Sequence, residues 1–105
     1  MRERRIDFAH LDWQSPAPGA RHKRYRRGRR MVRLLEFNDQ FDPADWCFKG
    51  HVGLVLSGQV TIEFDDEQIV YGAGDALFLE HGEIDRHKTR VAPGETVTLL
   101  LFEDH

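Results

Sequence analysis

Short runs of aliphatic and β-branched residues recur along this chain, and each is closed by a cluster of turn residues. Val52-Gly53-Leu54-Val55-Leu56 ends at Ser57-Gly58. Val60-Thr61-Ile62-Glu63-Phe64 then alternates, with Val60, Ile62 and Phe64 on one face, and Asp65-Asp66-Glu67 turns the chain. Ile69 and Tyr71 continue on the return strand, and Gly72-Ala73-Gly74-Asp75 leads into Ala76-Leu77-Phe78-Leu79. Residues 31–37, 86–91 and 96–102 are further strand candidates, the last two separated by Ala92-Pro93-Gly94-Glu95. No amphipathic helix of ordinary length interrupts the series. Short strands spaced about 8–12 residues apart with turn signals between them predict an all-β sandwich or barrel.

Size narrows the choice further. The 105 residues fit one domain. They leave no room for the two-lobed clefts of nucleotide-dependent dehydrogenases or kinases. A content of 40% hydrophobic and 31% charged residues is ordinary for a globular chain and too apolar for a fully disordered one. Cys47 is the only cysteine, which excludes an internal disulfide framework and structural zinc ribbons. The longest apolar stretch, 97–102, is broken by Thr98 and is far short of the roughly 20 residues of a membrane span. Met1-Arg2-Glu3-Arg4-Arg5 runs into Ile6-Asp7-Phe8-Ala9-His10 without the apolar centre of a signal peptide. The expectation is a cytoplasmic protein with no membrane partner.

Charge divides the chain in two. Residues 1–33 hold 11 Lys and Arg against 3 Asp and Glu, a net of +8, whereas residues 34–105 hold 4 against 15, a net of −11. The basic excess is concentrated in Arg21-His22-Lys23-Arg24-Tyr25-Arg26-Arg27-Gly28-Arg29-Arg30. One reading is a phosphate-binding arm for nucleic acid. The other is a solvated arm or strand lying against the acidic remainder, in the same chain or in a partner subunit. Only Tyr25 could stack a base, which favours the second. Asp12-Trp13-Gln14-Ser15-Pro16-Ala17-Pro18-Gly19 is rich in turn residues, and its prolines oppose helix and central strand alike. Residues 1–30 are therefore read as an extended basic N-terminal arm or strands, and 31–105 as the β domain.

Two clusters carry the chemistry. In Asp45-Trp46-Cys47-Phe48-Lys49-Gly50-His51, Asp45, Cys47 and His51 share parity, so an extended chain places them on one face. In Asp85-Arg86-His87, Asp85 and His87 do the same. If the adjoining strands are neighbours, Cys47, His51, Asp85 and His87 converge at the mouth of a barrel. Two histidines and a carboxylate suit iron(II), and a thiolate moves the preference toward zinc or copper. The alternative is a polar, hydrogen-bonded pocket mouth without metal. Cys47 by itself is either a nucleophile activated by Lys49 or His51, or an inert small thiol. Trp46, Phe48 and Phe78 are candidates to line a ligand pocket, against the simpler reading that they belong to the core.

From Cys47 to Phe102 the chain resembles a small single-domain cupin of the RmlC-like jelly-roll type. Gly-His-Val-Gly-Leu-Val-Leu-Ser-Gly (50–58) with the strand after it is similar to the first cupin motif, G-x5-H-x-H-x3,4-E-x6-G. Residues 71–82 are similar to the second, G-x5-P-x-G-x2-H-x3-N, with Gly74 and Gly82 in place. The metal positions are degenerate. Counted back from Gly58, His51 stands in the glutamate slot and Asp45 and Cys47 in the histidine slots. Glu80, Asp85 and Thr89 stand in the proline, histidine and asparagine slots of the second motif, with His87 two residues beyond Asp85.

The resemblance implies a double-stranded β-helix: two stacked antiparallel sheets forming a small barrel that holds one small ligand. It also implies a homodimer, paired through an edge strand or an exchanged N-terminal segment. A metal, if held, falls to His51 and His87 with Cys47 or Asp85, as one divalent ion of iron, zinc, nickel or manganese. Two functions remain open. One is a small-molecule-binding module, a sensor or accessory protein. The other is a metal-dependent enzyme of the dioxygenase or isomerase type.

Overall fold

The structure is a computed structural model, and residues 4–104 are described. Among the described residues, nine strands form two antiparallel sheets. β1 (Gln14–Ala17), β2 (Ala20–Arg27), β3 (Arg30–Asn38), β4 (His51–Ser57), β5 (Gln59–Glu63), β6 (Gln68–Gly72), β7 (Ala76–Leu79), β8 (Lys88–Arg90) and β9 (Thr96–Asp104) succeed one another in chain order. The larger sheet runs β1-β2-β3-β9-β4-β7, and the smaller runs β6-β5-β8. The strands expected from apolar runs and turn signals are present, with the 86–91 candidate shortened to Lys88–Arg90. The two sheets stack as a jelly-roll sandwich, but their ladders do not close into one continuous barrel. Among the described residues, no helix is long and apolar enough to cross a membrane.

The core obeys parity. Val97, Leu99 and Leu101 of β9, Leu35 of β3, Val55 of β4 and Leu77 of β7 face Val60 and Ile62 of β5 across the sandwich, all buried. Each such side chain contributes about 1.5–3 kcal/mol by leaving water. Gly58 is required where β4 gives way to β5. Its φ is +80°, and a Cβ there would lie 2.1 Å from the Thr96 carbonyl oxygen.

The basic run is part of the larger sheet and does not project as an arm. Arg21 to Arg27 lie in β2, paired residue by residue with β3 from Ala20↔Phe37 to Arg27↔Arg30, so this part of the basic stretch takes the strand form. Alternation of apolar residues is the usual mark of such a strand, and here only Ala20 and His22 are buried. The register is held instead by the ladder itself. Arg21 and Lys23 both lie over the Trp13 ring, 4.1 and 4.9 Å from its centroid. Pro16 is accommodated because β1 is an edge strand, where a missing N–H breaks no ladder. Residues 1–3 of the expected arm lie outside the described residues.

Candidate metal centre and cavity

The inner face of the larger sheet is apolar over most of its area and polar at one end. On β3 the inward series is Met31, Arg33, Leu35, Phe37; on β9 it is Val97, Leu99, Leu101, Glu103; on β4 it is His51, Gly53, Val55. Antiparallel register gathers Arg33, Glu103 and His51 at the same end. Beside them a cavity of about 320 Å³ opens between the sheets. Leu35, Val60, Ile62, Leu77, Leu79, Leu99 and Leu101 form its apolar wall, and Arg33, Lys49, Cys47, His51 and His87 form its polar part.

Backbone pairing brings the two sequence clusters together. Cys47 N–H donates to the His87 carbonyl at 2.8 Å, and His87 N–H donates to the Cys47 carbonyl at 3.0 Å. Gly50 reinforces the contact. Its N–H donates to His81 Nδ1 at 2.9 Å, and a Cβ there would sit 2.5 Å from the Leu79 carbonyl oxygen. The segment can therefore lie against the Leu79–His81 backbone only with glycine at this position. As a result one ligand atom each from Cys47, His51 and His87 lies within 4.8 Å of the others. The two imidazole rings meet edge to face, with centroids 5.6 Å apart.

Both imidazoles have Nδ1 engaged elsewhere. His87 Nδ1 lies 2.9 Å from the Asp85 carbonyl oxygen, and His51 Nδ1 lies 2.8 Å from Glu103 Oε2. Nε2 is therefore the nitrogen each ring has left to offer Cys47. Glu103, 6% exposed, is in turn gripped by Arg33: Nη2 donates to Oε2 at 3.0 Å, and Nε approaches Oε1 at 3.0 Å. Arg33 Nη1 also reaches buried His22 Nδ1 at 3.4 Å. The arrangement is a layered chain from His22 through Arg33 and Glu103 to His51 and Cys47.

That chain sets the electrostatics. Hydrogen bonds from His51 and then His87 push the Cys47 thiol down to about 5, against a smaller opposing effect of burial. Burial acts against a charged His51, but hydrogen bonds to Cys47 and Glu103, with the charges of both, outweigh it and raise that imidazole. His22 is lowered by burial and by the neighbouring Arg33 and Arg24 charges. These shifts favour a thiolate at Cys47 beside a His51 ring that holds its proton more tightly than a free one.

Of the four candidate ligands named from sequence, the fold brings together Cys47, His51 and His87, and places Asp85 elsewhere. Asp85 Oδ2 accepts from the Glu80 N–H at 2.8 Å and closes the loop before β8, so only its carbonyl touches the centre. The loop after Gly82 is two residues longer than the motif spacing assumes, and His87 takes the inward position. Trp46, Phe48 and Phe78 do not line the cavity, whose aromatic wall is Phe37 and Phe41. Parity explains this. Cys47 points inward, so the residues flanking it point away; Trp46 carries Arg86 and Lys88 over its ring, 4.7 and 5.0 Å from the centroid. Phe78 stands between inward Leu77 and Leu79 and is 71% exposed. Sequence reasoning missed Arg33 and Glu103. The signal was present: each falls on the buried parity of an otherwise apolar strand.

The donor set fits a metal. Two imidazoles and a thiolate are a zinc-type combination that leaves one tetrahedral position open. The second acceptor behind each imidazole is the usual support for a ligating histidine.

No family model matches the sequence, and no curated protein matches it. Solved structures do match in fold. The polyketide cyclase RemF from Streptomyces resistomycificus superposes with a TM-score of 0.80 at 18% identity, over 98% of this chain and 80% of RemF. An RmlC-like cupin from Shewanella frigidimarina NCIMB 400 gives 0.75 at 15% identity, over 99% and 93% of the two chains. KdgF from Halomonas sp. gives 0.71 at 22%, over 95% and 91%. Strand order, stacked sheets and these likenesses together show that the chain has the fold of a small cupin of the RmlC-like type.

Proposed function

We propose that this chain binds one divalent metal ion through Cys47, His51 and His87 and offers the ion's open position to a small molecule in the cavity between the sheets. The observation that carries this reading is the pair of imidazoles anchored at Nδ1, by Glu103 and by the Asp85 carbonyl, around a thiol already shifted toward thiolate. A bound ion of this kind supplies Lewis acidity toward a ligand oxygen. The chain's own residues do the rest. Glu103 fixes the His51 ring, and Arg33 fixes Glu103. The leucine and isoleucine wall excludes water and selects a ligand with a compact apolar body. A volume of about 320 Å³ accommodates only a small ligand.

Binding, in a sensor or accessory role, is the reading that needs nothing beyond this geometry. A metal-dependent enzyme is the second reading. It is favoured by Arg33 and Lys49, which line the same cavity as the three ligands, and a polyketide cyclase among the fold neighbours is a precedent for an enzyme on this fold. Metal analysis after loading with zinc and desalting tests the central reading. About one zinc per chain is expected, falling to background in Cys47→Ser and His87→Ala. A wild-type chain that retains no zinc overturns it.

A further inference from the structure

We propose that Lys49 makes the cavity selective for a small monocarboxylate, whose apolar body packs on the leucine and isoleucine wall while its carboxylate turns toward the metal centre. The inference rests on the metal reading above and names the class of ligand that the same site takes. Lys49 belongs to the row of side chains that carries the ligands. Asp45, Cys47, Lys49 and His51 all line the cavity, whereas Trp46 and Phe48 between them do not. Lys49 therefore stands between two of the three proposed ligands. An ammonium has donors and no lone pair, so the side chain cannot coordinate and instead adds a positive charge beside the ion. The residue is otherwise exposed, which puts it at the mouth of the cavity.

The charges on the lining select the ligand. Arg33, Lys49 and Lys88 line the cavity, and among the described residues Asp45 is the only acidic residue that does. Arg33 is already paired with Glu103 behind it, and Lys88 lies over the Trp46 ring, 5.0 Å from its centroid. Asp45 Oδ1 accepts the Trp46 N–H at 2.8 Å. Among the described residues, no carboxylate lies within salt-bridge reach of Lys49. A divalent ion held by a thiolate and two neutral imidazoles keeps net positive charge. With the Lys49 ammonium it makes the polar end of an apolar cavity cationic, and one carboxylate can satisfy both. A neutral ligand leaves the ammonium unpaired. A dianion has to set its second charge against Leu35, Val60, Ile62 and Leu99, where no donor compensates it.

Calorimetric titration of the zinc-loaded full chain tests the proposal, with 4-methylpentanoate and phenylacetate as probes, each beside its own neutral primary amide. At least one acid is expected to bind about 10-fold or more tightly than its amide. In Lys49→Met that acid-over-amide ratio should fall about 10-fold, and in Lys49→Arg, which keeps the charge, most of it should remain. Zinc per chain is measured on the same samples, and both variants are expected to retain the ion because the ammonium is not a ligand. A wild type that holds zinc but binds neither acid more tightly than its amide overturns this proposal and leaves the metal reading standing. So does a Lys49→Met chain with the full preference, or an equal loss in the arginine and methionine variants. A wild type that holds no zinc overturns the metal reading and this proposal with it.

Discussion

The two ends of the larger sheet's inner face are built by the same strands and do opposite things. At one end β3, β9 and β4 present Leu35, Val97, Leu99 and Val55, all buried in the hydrophobic cluster. At the other end the same strands present Arg33, Glu103 and His51. The apolar end gains stability from every side chain it buries. The polar end removes charges from water, and the attraction between them does little more than offset that loss. The fold therefore rests on one end and the candidate metal ligands on the other, so stability and metal binding should separate under mutation.

The largest effect is expected from removing a ligand. Cys47→Ser should abolish zinc retention, measured by a competition titration against a chelator; below pH 5, where the lowered thiol no longer adds stability, the melting temperature of the metal-free protein should change little by calorimetry. Next, Leu99→Ala should lower unfolding free energy by about 2–5 kcal/mol, read from urea denaturation of the metal-free protein, because it opens a cavity in the apolar end. The joint replacement Arg33→Met with Glu103→Leu should reverse that pattern. Stability should stay within about 1 kcal/mol or rise, while zinc affinity falls by about 10–100-fold because His51 loses its second partner. Equal losses in both quantities would mean that the two ends are not separable.

A fourth expectation concerns pH. In the metal-free protein the Cys47 thiol titrates near 5, against 9.0 for an unperturbed thiol, and thiolate absorbance in the ultraviolet reads the midpoint directly. The unfolded chain holds this proton up to the higher value and the folded chain releases it at the lower. The stabilisation from Cys47 is thus complete above pH 9, declines below it, and is lost as pH falls through about 5. His51 acts in the other direction: its contribution is whole below 6.5 and is lost as pH rises through its raised value. The smallest effect is expected for Trp46→Ala and Phe48→Ala, whose side chains point away from the cavity and should leave small-molecule affinity nearly unchanged by calorimetric titration.

Much of this molecule could be read from residue order, and the exceptions have physical causes. Apolar runs closed by turn residues placed β4, β6, β7 and β9, and alternation placed β5, whose Val60 and Ile62 are buried on one face. It failed for β2, where long basic side chains occupy both faces and the ladder with β3 replaces the apolar pattern. Shared parity within 45–51 put Cys47 and His51 on one side, and that survived folding. The same rule could not separate Asp85 from His87, since loop length decides which of two same-face residues reaches the centre. Glu103 was hidden for another reason. A carboxylate near the end of a strand ordinarily faces water, and only the partner supplied by Arg33, 70 positions away in the chain, lets it turn inward.

X-ray absorption at the zinc edge of the loaded protein tests the convergence of these three side chains most directly. A first shell with one sulfur at about 2.3 Å and two nitrogens at about 2.0–2.1 Å is the expected result, the sulfur disappearing in Cys47→Ser. A shell of oxygen and nitrogen alone in the wild-type protein would contradict it.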